Sequence, residues 1–137
     1  MRRRKLKHLF QDDADNTCGQ TCVAMLTGRP RGDVIALMGK SYTTTLNVHN
    51  ALRRFGFKTP SRLKRFSKSG DYANYKELDV DAVLKLVTRH HRRGTHHWVV
   101  WDAKAKKPLD PMEDPYLVPP AKITSYLPIL SCRAQMR

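Results

Sequence analysis

Cysteine is scarce in this chain, acidic residues are fewer than half as many as basic ones, and no long apolar run occurs. The 137 residues hold three cysteines, Cys18, Cys22 and Cys132. An odd, low count cannot form a disulfide framework and fits a reducing compartment. Without an apolar stretch of about 20 residues, no helix is expected to span a membrane. The basic start has no apolar segment behind it and does not read as a signal peptide. The expected location is therefore the cytoplasm, of a bacterium or a phage-infected cell. No repeat is visible, and nothing has the form of a helix-turn-helix or finger module, which argues against sequence-specific DNA reading.

What is abundant is positive charge. The chain has 26 Lys and Arg against 12 Asp and Glu, a net charge of +14. Such a surface attracts polyanions, whether nucleic acid, an acidic protein face or an anionic membrane, or simply keeps the protein solvated. Arg2, Arg3, Arg4, Lys5 and Lys7 make residues 1–8 a basic N-terminal arm. A second block holds Arg53, Arg54, Lys58, Arg62, Lys64, Arg65 and Lys68; Arg89, Arg92 and Arg93 follow, then Lys104, Lys106 and Lys107. Length and a 40% hydrophobic content suit a single domain spanning 1–137.

Helical signals dominate the first half. An acidic loop of Asp12, Asp13, Asp15 and Asn16 leads to Thr17, a candidate cap for a helix with Val23, Ala24, Met25 and Leu26 as its apolar body. Gly28 and Pro30 end it. A second helix is expected from about Gly32 to Met38, with Gly39 closing it. A third is capped by Thr44 or Thr45 and stopped by Gly56. Lys58 to Phe66 reads as one strand. Val80, Val83, Leu84 and Val87 fall at helical spacing and predict a fourth helix over Asp79 to Arg92. His97 to Trp101 is the strongest strand. Ala103 to Lys107 turns back, Leu109 begins a further strand, and Pro111, Pro115, Pro119 and Pro120 hold an extended loop. Ile123 to Leu130 closes the chain as a strand that Pro128 assigns to an edge. Helices first and strands last predict an α+β fold, with N-terminal helices packed on a C-terminal antiparallel sheet.

Two segments carry chemistry. Gln11 precedes Cys18–Gly19, where a helix begins and the dipole favours a thiolate. His97–Trp98–Val99–Val100 is followed by Asp110–Pro111. A thiol at a helix start, a distant imidazole on a strand and a carboxylate just past its turn supply a nucleophile, a base and an orienter. Gln11 and the Cys18 backbone N–H are the candidate oxyanion donors. Asp102 competes with Asp110 as orienter. His96 and His97 point to opposite faces of a strand, so only one can meet Cys18. Cys22, one turn beyond Cys18, is assigned to packing, and Cys132 has no evident partner. His90 and His91 read as solvated residues at a helix end. A metal site built from Cys18, Cys22 and a His pair lacks a second Cys pair, and no metal or cofactor is expected.

Gln11, Cys18–Gly19, Ala24–Met25, His97–Trp98–Val99–Val100 and Asp110–Pro111, in that order, resemble the papain-like cysteine peptidases. The similarity is to the bacteriocin-processing branch that cleaves double-glycine leaders, and to its small stand-alone relatives. The loop between Gln11 and Cys18 is one residue longer than in that family, and Lys58 to Leu78 matches nothing specific. The resemblance implies a papain-like fold and a cysteine hydrolase, a peptidase or isopeptidase acting on a protein or peptide through a thioester acyl-enzyme. Cys18, His97, Asp110 and Gln11 would be its site. Transamidation would use the same triad. The alternative reading is a catalytically inactive papain-like scaffold serving as a basic binding protein for nucleic acid or an acidic host protein.

Overall fold

A computed structural model describes residues 6–11, 16–86, 97–112 and 123–132. Three helices come first: α1 (Cys18–Thr27), α2 (Arg31–Met38) and α3 (Thr45–Arg54). The strands are β1 (Phe57–Lys58), β2 (Lys64–Arg65), β3 (Ala82–Leu86), β4 (His97–Asp102), β5 (Lys107–Leu109), β6 (Ile123–Pro128) and β7 (Ser131–Cys132). A single 3-10 turn, Tyr75–Glu77, lies between β2 and β3. The larger sheet runs β2-β6-β3-β4-β5 with every pairing antiparallel, and β1 pairs with β7 as a separate two-stranded ribbon. The fold is α+β, as the element order predicts.

The helix ends follow local chemistry. Gly28 ends α1 in the left-handed region at φ 74°, its N–H bonded to Ala24 O, a position that costs any residue with a Cβ. Thr44 opens α3 by accepting from Asn47 N, and the Asn47 side chain reaches back to Thr44 N. Helix α1 is buried along its whole length, from Cys18 to Thr27. It packs with Val34, Val48 and Leu52 against Trp98, Val100, Val83 and Leu127 on one face of the sheet. The opposite face carries Leu84, Leu86, Val99, Trp101 and Tyr126, covered by Tyr75, Leu78, Phe66 and Tyr72.

A sheet covered on both sides explains the main correction. Of the fourth helix expected over Asp79 to Arg92, Ala82–Leu86 is strand β3 and residues 79–81 are the irregular approach to it; residues 87–92 lie outside the described residues. Ala82, Val83, Leu84 and Leu86 are all buried, because alternate side chains enter different cores. A short run that is apolar on both faces has no period of two, so it passes for a helix. The single strand expected from Lys58 to Phe66 is instead two short ones: β1 joins β7 and β2 joins β6. Strand β6 is not an edge: it lies between β2 and β3. Pro128 is tolerated because it ends the strand, beyond the two residues that β2 pairs. Leu46 of α3 is 57% exposed. Most of the basic arm, the acidic loop at Asp12, Asp13 and Asp15, His90, His91, His96, and Pro115, Pro119 and Pro120 lie outside the described residues. No helix among the described residues is long and apolar enough to cross a membrane.

Candidate active site

Three element ends meet here: the first residue of α1, the first residue of β4 and the residue after β5. Cys18 opens α1 and is 6% exposed. The first intrahelical bond runs from Thr21 N to Thr17 O at 2.9 Å. The N–H groups of Cys18, Gly19 and Gln20 precede it, so helix geometry gives them no acceptor within α1. Thr17 holds the N-cap position, but its side chain makes no capping bond, contrary to the expectation from sequence.

His97 and Asp110 are both buried, and the imidazole Nε2–H donates to Asp110 Oδ1 at 2.7 Å. With Nε2 committed, Nδ1 is the nitrogen available to the Cys18 sulfur, to which the ring also hydrogen-bonds. Burial alone lowers the imidazole. The hydrogen bonds and charges of Asp110 and Cys18 outweigh it and hold His97 up at about 9. At neutral pH the ring is therefore an imidazolium, with N–H groups toward both partners. The carboxylate is itself fixed, since Oδ1 also accepts from Met112 N at 2.9 Å.

Asp102 has a different task. Its Oδ1 accepts from Lys104 N and Ala105 N, both at 3.1 Å, and so shapes the turn between β4 and β5. Of the two candidate orienters, Asp110 meets the imidazole. Gln11 is joined to the same region through its backbone: Gln11 N donates to Pro111 O at 2.8 Å. His8 Nε2 donates to Asp110 O at 2.6 Å. The segment from His8 to Gln11 thus straps the Asp110–Pro111 turn and sets Gln11 beside it.

Cys22 is fully buried, and burial first, then the charges of Cys18 and Asp110, push its thiol well above its ordinary value. It packs in the core, as its spacing predicts. Among the described residues no group of three or more His, Cys, Asp or Glu side chains could hold a metal ion.

Three residues support the site, and two of them, Gln20 and Arg31, escape sequence reasoning. A Cβ on Gly19 would sit 2.0 Å from Thr43 Oγ1, so the loop before α3 presses on the backbone beside Cys18 and needs glycine there. Gln20, fully buried, donates through Nε2 to Gly39 O at 2.8 Å and Ser41 O at 2.9 Å and anchors that loop. Arg31 donates to the hydroxyls of Thr17 and Thr21. Only the glycine after the cysteine leaves a trace in the sequence; the other contacts join distant segments. No family model, curated protein or solved structure matches this chain.

Proposed function

We propose that the protein is a papain-like cysteine hydrolase, a peptidase or isopeptidase that works through a thioester acyl-enzyme. The observation that carries this reading is a buried imidazole hydrogen-bonded to a carboxylate on one side and to a helix-terminal thiol on the other. The Cys18 thiolate attacks the carbonyl carbon of the scissile amide. The oxyanion is received by the Cys18 N–H and the Gln11 side chain. Collapse breaks the C–N bond, and the departing amine takes a proton from His97. Water, deprotonated by His97, then attacks the thioester, and the acid leaves as Cys18 is released. Asp110 holds the ring orientation and stabilises the imidazolium throughout.

The test needs no knowledge of the substrate. An imidazolium and a helix N-terminus favour a thiolate, which is the alkylated species. Iodoacetamide at pH 6 should modify Cys18 far faster than Cys22 or Cys132, and His97→Ala should slow the labelling of Cys18. Equal rates, indifferent to His97, would remove the catalytic reading. The net charge of +14 supports a second reading, a papain-like basic binding protein for nucleic acid or an acidic protein. Cys18→Ala separates the two: binding would survive it and hydrolysis would not.

A further inference from the structure

We propose that Arg31 is a positioning residue for the Cys18 site: by holding the Thr17 hydroxyl, it keeps the first-turn amides of α1 open for the thiolate. This rests on the cysteine-hydrolase reading and adds to it a device that controls the helix terminus.

Thr17 is a residue type that normally caps. A threonine at the N-cap turns its hydroxyl onto the amide two or three positions on, here Gly19 or Gln20. Thr44 does so at the start of α3, with extended backbone (φ −90°, ψ 168°) and a bond from Asn47 N at 3.1 Å. Thr17 has φ −106° and ψ 27° and makes no such bond. Its hydroxyl accepts instead from Arg31 Nη2 at 3.0 Å. The same guanidinium donates through Nε to Thr21 Oγ1 at 3.1 Å, and that hydroxyl donates to Thr17 O at 2.7 Å. One planar fork thus grips two hydroxyls a helical turn apart, both within 1% of full burial. Arginine's fixed geometry suits this; a single ammonium does not reproduce it.

The grip has a chemical consequence. A capping hydroxyl would take the Gly19 or Gln20 N–H, donors that favour the thiolate, and would set an oxygen lone pair beside the sulfur. Stability and reactivity compete for the same N–H groups, and Arg31 settles the contest for reactivity. Its own base is firm. Arg31 is the first residue of α2, where Asp33 N and Val34 N bond to Pro30 O. The guanidinium also brings a permanent positive charge to the first turn of α1. Among the described residues, His97 and Cys22 are titratable groups that interact with Cys18.

The experiment measures Cys18 alkylation rates against pH by peptide mass analysis on the full chain: wild type, Arg31→Gln, Thr17→Val and the double variant. Arg31→Gln should slow Cys18 by about five-fold, the order of a helix-terminus interaction, and move the midpoint of the rate profile to higher pH. Its thermal melt should move little, because the freed hydroxyl caps the helix. Adding Thr17→Val to Arg31→Gln should restore most of the rate relative to Thr17→Val alone, because no hydroxyl remains to swing onto the amides. A wild-type rate in Arg31→Gln, or a double variant as slow as Arg31→Gln, overturns the proposal. Should Arg31→Gln fail to fold, Arg31→Lys carries the same comparison with the same outcomes. Failure of the hydrolase reading is seen separately, as a wild-type Cys18 rate that His97→Ala leaves unchanged.

Discussion

Asp110→Asn should release the His97 imidazole from about 9 toward, or below, the 6.5 of a free ring. Burial is the largest single influence on that ring and acts downward; the hydrogen bonds and charges of Asp110 and Cys18 reverse it. The rise from 6.5 to about 9 corresponds to about 3 kcal/mol in favour of the imidazolium. An amide at position 110 keeps the shape but loses the charge. If the carboxylate supplies half or more of the effect, the imidazolium is destabilised by about 1.5–3 kcal/mol, or about ten- to a hundred-fold at neutral pH. Because a ring brought from about 9 toward 6.5 is still partly protonated at pH 7, Cys18 alkylation there should slow only by about a few-fold, with the larger loss near pH 8. Turnover should fall by about one to four orders of magnitude, the upper end being the loss seen in serine triads. The assay is an NMR titration of the His97 ring in the wild type and the variant, run beside the alkylation kinetics. Asp102→Asn is the control. Its carboxylate serves Lys104 N and Ala105 N, so it should weaken the turn by about 1 kcal/mol and leave the His97 titration in place. An unmoved His97 in Asp110→Asn, or an equal shift in Asp102→Asn, would refute the assignment of the carboxylate.

The same ring sets a pH dependence of stability. Between 6.5 and about 9 the native state holds the His97 proton and the unfolded chain does not, so this contribution is full below 6.5 and lost as pH rises through 9. Urea midpoints measured at pH 6, 7.5 and 9 should show wild type losing its advantage over Asp110→Asn; a constant difference contradicts the linkage. Gly19→Ala should cost about 1–3 kcal/mol from overpacking on Thr43, partly offset by alanine's better helix propensity. Thr43→Gly should make Gly19→Ala less costly, as a double-mutant cycle would register, while additive losses would show that the two do not collide. If the excess of Lys and Arg binds phosphates, affinity for a single-stranded oligonucleotide should fall steeply with salt, measured by fluorescence anisotropy. A flat response would leave the charge as a solvated surface.

The parts of the fold that depend on local chemistry were legible in the chain. Gly28, Gly39 and the Thr44 cap mark helix ends because each acts within four residues. The strand at His97 was legible because β-branched and aromatic residues crowd it. Strand β3 was not, since its two apolar faces enter two separate cores. Nor was the split of Lys58 to Phe66, because β1 and β2 are defined by partners sixty or more residues away.

The candidate site divides along the same line. Cys18, His97 and Asp110 each lie in a motif whose neighbours declare them: a glycine at a helix start, a β-branched strand, an Asp-Pro turn. The hydrogen bond between His97 and Asp110 spans 13 residues and follows from the hairpin that joins β4 to β5. What surrounds the thiol is a different matter. Thr17 reads as a cap in any window of sequence, and the local rule is right about the residue and wrong about its bond. The rule fails because a guanidinium from the next helix competes for the hydroxyl, a contest no local pattern records. Departures of this kind gather where function needs a group left unsatisfied. Thr17 and Thr44 are the same residue at the same kind of position, one turned away from its helix and one capping it. The one turned away stands beside the cysteine.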